Sequence, residues 1–273
     1  MLAKLNIGMP RDLFSGGLSV RGMVYARDLL FELVAREMKL RYKRSVLGIV
    51  WSLLNPLAQL VVLYFVFGLM LPLHITHYAS FLLIGVLSWN WFQSSLVYAT
   101  GAIVDNRELV RRPGFPVAVL PIVTVTTHLL HFLLALPILV LCLFLDLGYV
   151  AGSMAALPLV IILQFLLTLS LAYTVATFHV SFRDTQYLLG VLLQLLFFLT
   201  PIFYDATAIP EPYRWLLSLN PMTYLVDAYR AVLVGGRPPD WRSLFVLGAC
   251  SVALLLVTYA VFIRARYRFV EDV

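Results

Sequence analysis

Between Ser45 and Val104 the chain carries no Asp, Glu, Lys or Arg for 60 consecutive residues. One bilayer crossing takes about 20 mainly apolar residues, so this stretch holds two crossings and a turn. Pro72, His74 and His77 mark the turn, which predicts span one near residues 46–71 and span two near 79–102. The same charge-free pattern recurs at Pro113–Leu145, Leu147–Phe182, Thr185–Tyr204 and Ser243–Ile263. It predicts span three near 116–145, span four near 153–178, span five over 185–204 and span six over 243–263. Backbone amides in hydrocarbon need partners within their own segment, so each crossing is a helix. A transmembrane barrel would alternate apolar and polar residues, and Leu133–Leu145 does not.

Composition points the same way. Hydrophobic residues are 62% of the 273 and charged residues 12%, against about 45–50% and about 25% in soluble domains. This excludes a disordered chain, a nucleic-acid-binding domain and almost any cytosolic enzyme. Cys142 and Cys250 lie in apolar runs and read as small apolar residues rather than a disulfide framework. The first 44 residues, charged and broken by Pro10, Gly16 and Gly17, do not resemble a secretory signal.

The cations set the expected orientation. Sixteen of the twenty Lys and Arg fall on one side: nine in residues 1–47, then Arg107, Arg111, Arg112, Arg183, Arg264, Arg266 and Arg268. Cytoplasmic loops are enriched in Lys and Arg, so both termini are expected in the cytoplasm, and an even number of spans, which puts both termini on one side, agrees. Before span one, Asp28, Glu32, Arg36, Lys39 and Lys43 recur at helical spacing on one face, while Met23, Ala26, Leu30, Leu33 and Val34 form another. Such a helix is expected to lie in the membrane interface, as a topological anchor or as a collar that contacts a cytoplasmic partner.

No charged side chain sits near the centre of any span, which counts against an ion-coupled carrier. His128 and His131 share a helix face, but without accompanying thiolates or carboxylates they read as an interhelical hydrogen bond rather than a metal site. Asn55, Gln59, Gln93, Gln164 and Gln194 are expected to link helices similarly. An intramembrane transferase would need convergent acid, base or nucleophile groups, and only His128, His131 and His179 offer themselves. None of the fifteen glycines precedes a Lys, so there is no phosphate-binding G-x-x-x-x-G-K-[ST] loop. If ATP drives this protein, another polypeptide binds it.

Five segments occur in order: LRYKRSVLGIVWSLLNP at Leu40–Pro56, DNRELVRRPGFP at Asp105–Pro116, Phe182-Arg183-Asp184, FFLTPIFY at Phe197–Tyr204 and NPMTYLVDAYR at Asn220–Arg230. Together they resemble the membrane subunit of ABC-2 type exporters of bacterial polysaccharides, the O-antigen, capsule and teichoic acid permeases. The resemblance spans residues 25–265; Pro113-Gly114 departs from the apolar and aromatic residues usual in that loop. It implies an all-α integral membrane protein of the bacterial inner membrane. Six transmembrane helices would follow an N-terminal amphipathic interface helix, with two short re-entrant helices on the outer side before helix six. It further implies a homodimer bound to two copies of an ABC ATPase subunit, which holds ATP and Mg. The substrate would be a lipid-linked glycan; a drug or small lipid is the lesser alternative. The expected parts are a cytoplasmic segment 1–45, a membrane domain 46–263 and a cytoplasmic tail 264–273.

The loop 105–115 is short and closed by Pro113 and Pro116. Asp105 is expected to cap a short helix there, with Arg111 and Arg112 favourable at its far end. The resemblance makes this the helix that couples to the ATPase, through Asp105, Asn106, Arg107, Glu108, Leu109 and Arg111, with Arg183 and Asp184 nearby. Between spans five and six lies a long outer segment, 204–241, rich in aromatics and prolines. Trp215–Leu219 and Thr223–Val234 are expected to form two short helices in the outer interface. They would make an external gate that includes Tyr204, Trp215, Asn220, Pro221, Tyr224 and Arg230. Aromatic faces suit a sliding sugar chain, because they offer an apolar surface to C–H groups. By the resemblance, spans one and five line the path, which selects Tyr64, Phe67, Phe197 and Phe198, with Trp89 from span two.

Overall fold

The computed structural model describes residues 20–43, 48–71, 73–148 and 152–272. Residues 1–19, the basic position Arg44 and the turn proline Pro72 lie outside that set, as do the side chains of Met23 and Arg268. Among the described residues all regular structure is helical. Helix α1 spans Val20–Tyr42, α2 Trp51–Tyr64, α3 Tyr78–Gly101, α4 Arg107–Val110 and α5 Val119–Leu147. Then follow α6 at Leu157–Ser181, α7 at Thr185–Leu199, α8 at Arg214–Ser218, α9 at Pro221–Leu233 and α10 at Trp241–Asp272.

Four helical stretches are long and apolar enough to cross a bilayer: Trp51–Met70, Val119–Leu147, Gly152–Ser181 and Trp241–Arg266. The other two expected spans differ from these for separate reasons. Helix α3 has 24 residues and no charge, but Ser80, Ser88, Asn90, Gln93, Ser94 and Ser95 dilute its hydropathy. Its surface is covered by protein rather than lipid, which allows those polar side chains. Ser88 and Ser95 return their hydroxyls to backbone carbonyls one turn back. The Gln164 amide of α6 donates to the Ser88 carbonyl at 2.8 Å, and Asn90 donates to Gln59 of α2 at 3.2 Å. Helix α7 has 15 residues, about 22 Å, which is short of the ~30 Å hydrocarbon core. Span five was expected to run to Tyr204. It stops at Leu199 because Thr200 precedes Pro201 and takes an extended conformation, φ −91°, ψ 133°.

Helix α2 continues into a wider π turn at Phe65–Met70. Helix α10 runs past the expected end of span six, so residues 264–272 of the expected tail are helical; Phe269 meets Phe262 edge-on, with ring centroids 5.2 Å apart. Helices α6 and α10 meet along Tyr173, Tyr259 and Phe262. On α1 the charged face is exposed as expected: Asp28, Glu32, Arg36, Lys39 and Lys43 all face outward. The opposite face packs Leu30, Leu33, Val34 and Met38 against Val119 and Val123 of α5. Ala26, expected on that inner face, is exposed.

Candidate functional site

The aromatic residues expected to line a path meet on one side of the bundle, around a residue outside the expected set. Phe203, just beyond the break in α7, stacks on Phe67 at 4.9 Å and lies 6.1 and 6.2 Å from Phe197 and Phe198. Phe197 also meets Trp89 edge-on at 5.9 Å. Tyr64 stacks on Tyr78, whose hydroxyl donates to the Phe203 carbonyl at 2.8 Å. The cluster thus ties α2, α3 and α7 together. Its members are not equally accessible. Phe198 is 57% exposed and Tyr64 38%, Phe67 and Phe197 are half-buried, and Trp89 at 1% stands behind Phe197 with its indole N–H donating to Gln93. Aromatics at helical spacing were visible in the chain. Phe203 fell inside the expected span five but outside the expected path set, and it reaches the others because α7 stops at Leu199.

The far end of the bundle, beyond the break in α7, is bracketed by Arg230. This residue of α9 is buried, and its guanidinium lies 3.3 Å above the Phe81 ring. It donates to the carbonyls of Pro201 at 2.5 Å, Ile202 at 2.7 Å and Phe81 at 3.4 Å. The carbonyls left over at a broken helix end need such a partner. Gly85 makes room for this arrangement: a Cβ there would sit 2.9 Å from the Ile202 carbonyl oxygen and 3.1 Å from the Arg230 guanidinium. Asn220 fills two roles. Its side-chain oxygen caps α9 by accepting from the Met222 amide at 3.0 Å, with Pro221 at the first helical position. Its amide donates to Thr200 at 2.7 Å. Helices α8 and α9 therefore start and stop within a residue or two of expectation. Tyr204 and Tyr224 donate their hydroxyls to the Phe198 and Ser218 carbonyls, and Trp215 is exposed.

At the opposite end, α4 is a single turn between α3 and α5. Arg107, Glu108 and Arg111 are exposed, Asn106 and Leu109 half-buried, and Val110 packs into the core. Asp105 does not cap α4. The cap position falls to Asn106, which makes no side-chain cap and instead donates to the Ala102 carbonyl at 3.0 Å. The Asp105 carboxylate folds back over Gly101, where a Cβ would collide with it. Arg183 and Asp184 are exposed in the turn between α6 and α7, beside exposed Phe182 and Tyr187.

Near this end a cleft of about 400 Å³ opens between α1, α2, α3 and α5. The two histidines line it, and their partners come from the interface helix. Arg41 approaches His128 and His131 at 3.4 Å each, and Tyr42 lies 2.9 Å from His131. The Arg41 guanidinium also stands 4.3 Å above the Tyr98 ring. One turn earlier on α1, burial pushes the Glu37 carboxyl above the ordinary range, while the Arg41 charge and the Thr127 hydroxyl at 3.5 Å pull it back.

Residues 28–234 match the family described as ABC-2 type transporter. The O-antigen export system permease protein RfbA of Myxococcus xanthus is 36% identical over 261 residues, 93% of this chain and 98% of that protein. A protein of the same name from Klebsiella pneumoniae is 31% identical over 252 residues, 90% of this chain and 95% of its own length. The polysialic acid transport protein KpsM of Escherichia coli is 28% identical over 241 residues, 84% and 90% of the two chains. With its family match running through most of the bundle and its relatives aligned almost end to end, the chain belongs to the ABC-2 type transporters, as a membrane permease homologous to O-antigen export permeases.

Proposed function

We propose that this permease moves lipid-linked polysaccharide of the O-antigen kind across the bacterial inner membrane, driven by ATP hydrolysed on a separate subunit. The similarity over 93% of the chain to an O-antigen export permease carries the reading. Six crossings, α2, α3, α5, α6, α7 and α10, put both termini in the cytoplasm, where the cations are densest. The unit is a homodimer joined to two copies of the ATPase, which holds the ATP and Mg. The bare apolar surfaces of α2 and α7, with Val61, Val62, Val191, Leu192 and Leu195 all exposed, support a second copy of the chain on that side. Tyr64, Phe67, Phe197 and Phe198 present the sliding surface, with Trp89 supporting it from behind. Helices α8 and α9 lie in the outer interface as a gate, and Arg230 holds their frame to α3 and α7. The exposed side chains Arg107, Glu108 and Arg111 of the α4 turn, with Arg183 and Asp184, engage the ATPase.

The likeness to a polysialic acid transport protein favours a polymer of that kind as the second reading; capsule polymer and teichoic acid are further polymers of this class. Co-reconstitution with the ATPase in vesicles tests the proposal. The pair is expected to hydrolyse ATP and translocate lipid-linked glycan, and scrambling residues 105–115 is expected to abolish both coupling and export. Hydrolysis by the permease alone, or undiminished export from the scrambled variant, would sink it.

A further inference from the structure

Helix α9 ends in a turn that folds Arg237 back onto it. Gly236 takes a left-handed φ of 59°, and the Arg237 amide donates to the Ala231 carbonyl at 3.1 Å. A Cβ on Gly235 would sit 3.1 Å from that carbonyl oxygen and 3.4 Å from the Arg237 side chain, so the close return depends on glycine. Asp227 lies one turn before Ala231. Both Asp227 and Arg237 line two adjoining clefts. One, of about 470 Å³, opens between α9, residues 75–76 and residues 205–207. The other, of about 450 Å³, opens between α9 and the start of α10. Opposite charges that share a cleft can pair, but among the described residues Asp227 and Arg237 form neither an ion pair nor a side-chain hydrogen bond. The other charges around the clefts are engaged. Asp240 accepts from the Arg242 amide at 3.1 Å and from the Ser243 hydroxyl at 2.5 Å, one on each oxygen. One oxygen of Asp205 takes both the amide and the hydroxyl of Thr207, and Arg230 is held by the carbonyls of Pro201 and Ile202. That leaves one exposed acceptor and one exposed donor, Asp227 and Arg237, unpartnered across the same space.

We propose that Asp227 and Arg237 bind a neutral sugar residue, as a glycan subsite on the flank of α9. That the sugar belongs to the exported glycan rests on the exporter reading, which sets this end of the bundle outside. A ligand that bridges the two side chains must donate to a carboxylate and accept from a guanidinium. One hydroxyl does both, and the adjacent hydroxyls of a pyranose do so side by side. An anion fits less well. Around the larger cleft Asp205 and Asp227 are matched by Arg230 and Arg237, and around the other Asp240 adds a second carboxylate, so neither holds a surplus of positive charge. Apolar groups for the C–H faces of a sugar ring are in place: Ala231 in both clefts, and Tyr224, Pro238 and Pro239 in the second. Both volumes lie within the ~300–1,000 Å³ of small-molecule sites.

The test titrates fluorescently labelled neutral hexasaccharides of mannose, glucose and galactose into the full permease with its ATPase, in phosphatidylcholine nanodiscs. Saturable binding of at least one is expected. Charge-assisted hydrogen bonds set the scale: Asp227→Ala weakens that binding about 10-fold or more, and Arg237→Gln about 3- to 10-fold. Asp227→Asn, which keeps one acceptor oxygen, falls between wild type and Asp227→Ala. Glu211→Gln, an exposed carboxylate elsewhere in the outer segment, binds as wild type. Arg237→Gln, at an exposed position, keeps the test open if Asp227→Ala fails to fold. No saturable binding of any of the three sugars, or wild-type affinity in both Asp227→Ala and Arg237→Gln, overturns the site. Tighter binding of hexasialic acid or of phosphoethanolamine than of every neutral sugar overturns the assignment to a neutral ligand. Export by the same complex separates the two readings. Glycan export without sugar binding removes the site and leaves the exporter. Sugar binding that both substitutions weaken, with no export by the unmodified complex, leaves the site and removes the exporter.

Discussion

Helices α3 and α7 are both charge-free, yet they occupy opposite environments. Helix α3 buries seventeen of its 24 residues, including Ser80, Ser88 and Ser95, and touches α2, α5, α6, α7 and α9. Helix α7 buries only Leu189 and Leu193 of its fifteen and shows lipid or a partner an almost continuous apolar surface. Both lack charge, but burial and polar content separate them. A helix shielded by protein can carry Ser80, Ser88, Asn90, Gln93, Ser94 and Ser95 because neighbouring groups satisfy several of them; α7 has fewer such residues, Gln186 in its first turn and Gln194, both exposed. Helix α3 is the post of the bundle, and α7 is a facing held to it by Phe197 on Trp89 and by the Arg230 bracket at its broken end.

The sharpest break of this contrast removes the same side chain from both helices. Leu82→Ala on α3, at a position with no exposure, opens a cavity and costs about 2–5 kcal/mol. Leu192→Ala on α7, 52% exposed, stays within about 0.5 kcal/mol. Thermal unfolding of the purified variants in detergent measures both; equal losses would mean that α7 is as embedded as α3. A somewhat smaller effect tests the tie between them. Arg230→Gln leaves the Pro201 or Ile202 carbonyl buried without a donor, at about 2–3 kcal/mol, and frees the end of α7. Faster hydrogen exchange confined to residues 196–204 and α9 is the expected signature, and uniform loosening of the whole bundle would contradict it.

The charge gaps made most of the helices legible, because lipid tolerates no charge, but not their ends: α10 runs past its gap to Asp272 and α7 stops short of its own at Leu199. The start of α9 was legible to within two residues: the sequence set the second outer helix at Thr223, past Asn220-Pro221, whereas Asn220 caps the helix and Pro221 opens it. The charged stripe of α1 was readable from spacing alone. The helix end at Thr200-Pro201 was present as a signal, but the apolar run beyond it masked the stop. Other features depend on distant segments. Phe203 becomes a hub only because Phe67 and Phe197 come to it from 136 and 6 residues away in the chain. Arg230 was expected in the outer gate, but its part as a bracket shows only when the carbonyls of Phe81, Pro201 and Ile202 are placed around it. Arg41, one of nine cations in the basic N-terminal segment, shows its separate character only when two histidines from α5 face it.

The proposed dimer seam gives the next effect. Leu195→Gln adds a polar group to the bare face of α7 without touching the core, so the unfolding midpoint holds while self-association weakens about tenfold, or ~1.4 kcal/mol. Cross-linking of cysteines placed at Val191 or Leu195 reads the same seam, and a wild-type dimer fraction in Leu195→Gln would move it elsewhere.

The smallest effect is electrostatic and sits where α7 ends. Burial pushes the Asp205 carboxyl up, but hydrogen bonds from the amide and hydroxyl of Thr207 and the charge of Arg230 outweigh it and hold the group below the usual range. Burial raises the Asp227 carboxyl above that range, against the pull of Arg230. The signs are opposite. A depressed carboxyl stabilises the fold above its unfolded pKa, near 4, and that help is lost as pH falls below it. A raised carboxyl is a penalty at pH 7, relieved as pH falls through its folded value toward 4. Asp227→Asn should therefore raise the unfolding midpoint at pH 7 by about 2 °C or less and have no effect near pH 4. Asp205→Asn should lower the midpoint at pH 7 and converge on wild type only as pH falls through the depressed folded pKa of Asp205, where the wild-type carboxyl is itself protonated. Because both carboxyls face Arg230, the double variant should also reduce the effect of Arg230→Gln. An unchanged effect would mean that the bracket on α7 is held by the carbonyls alone.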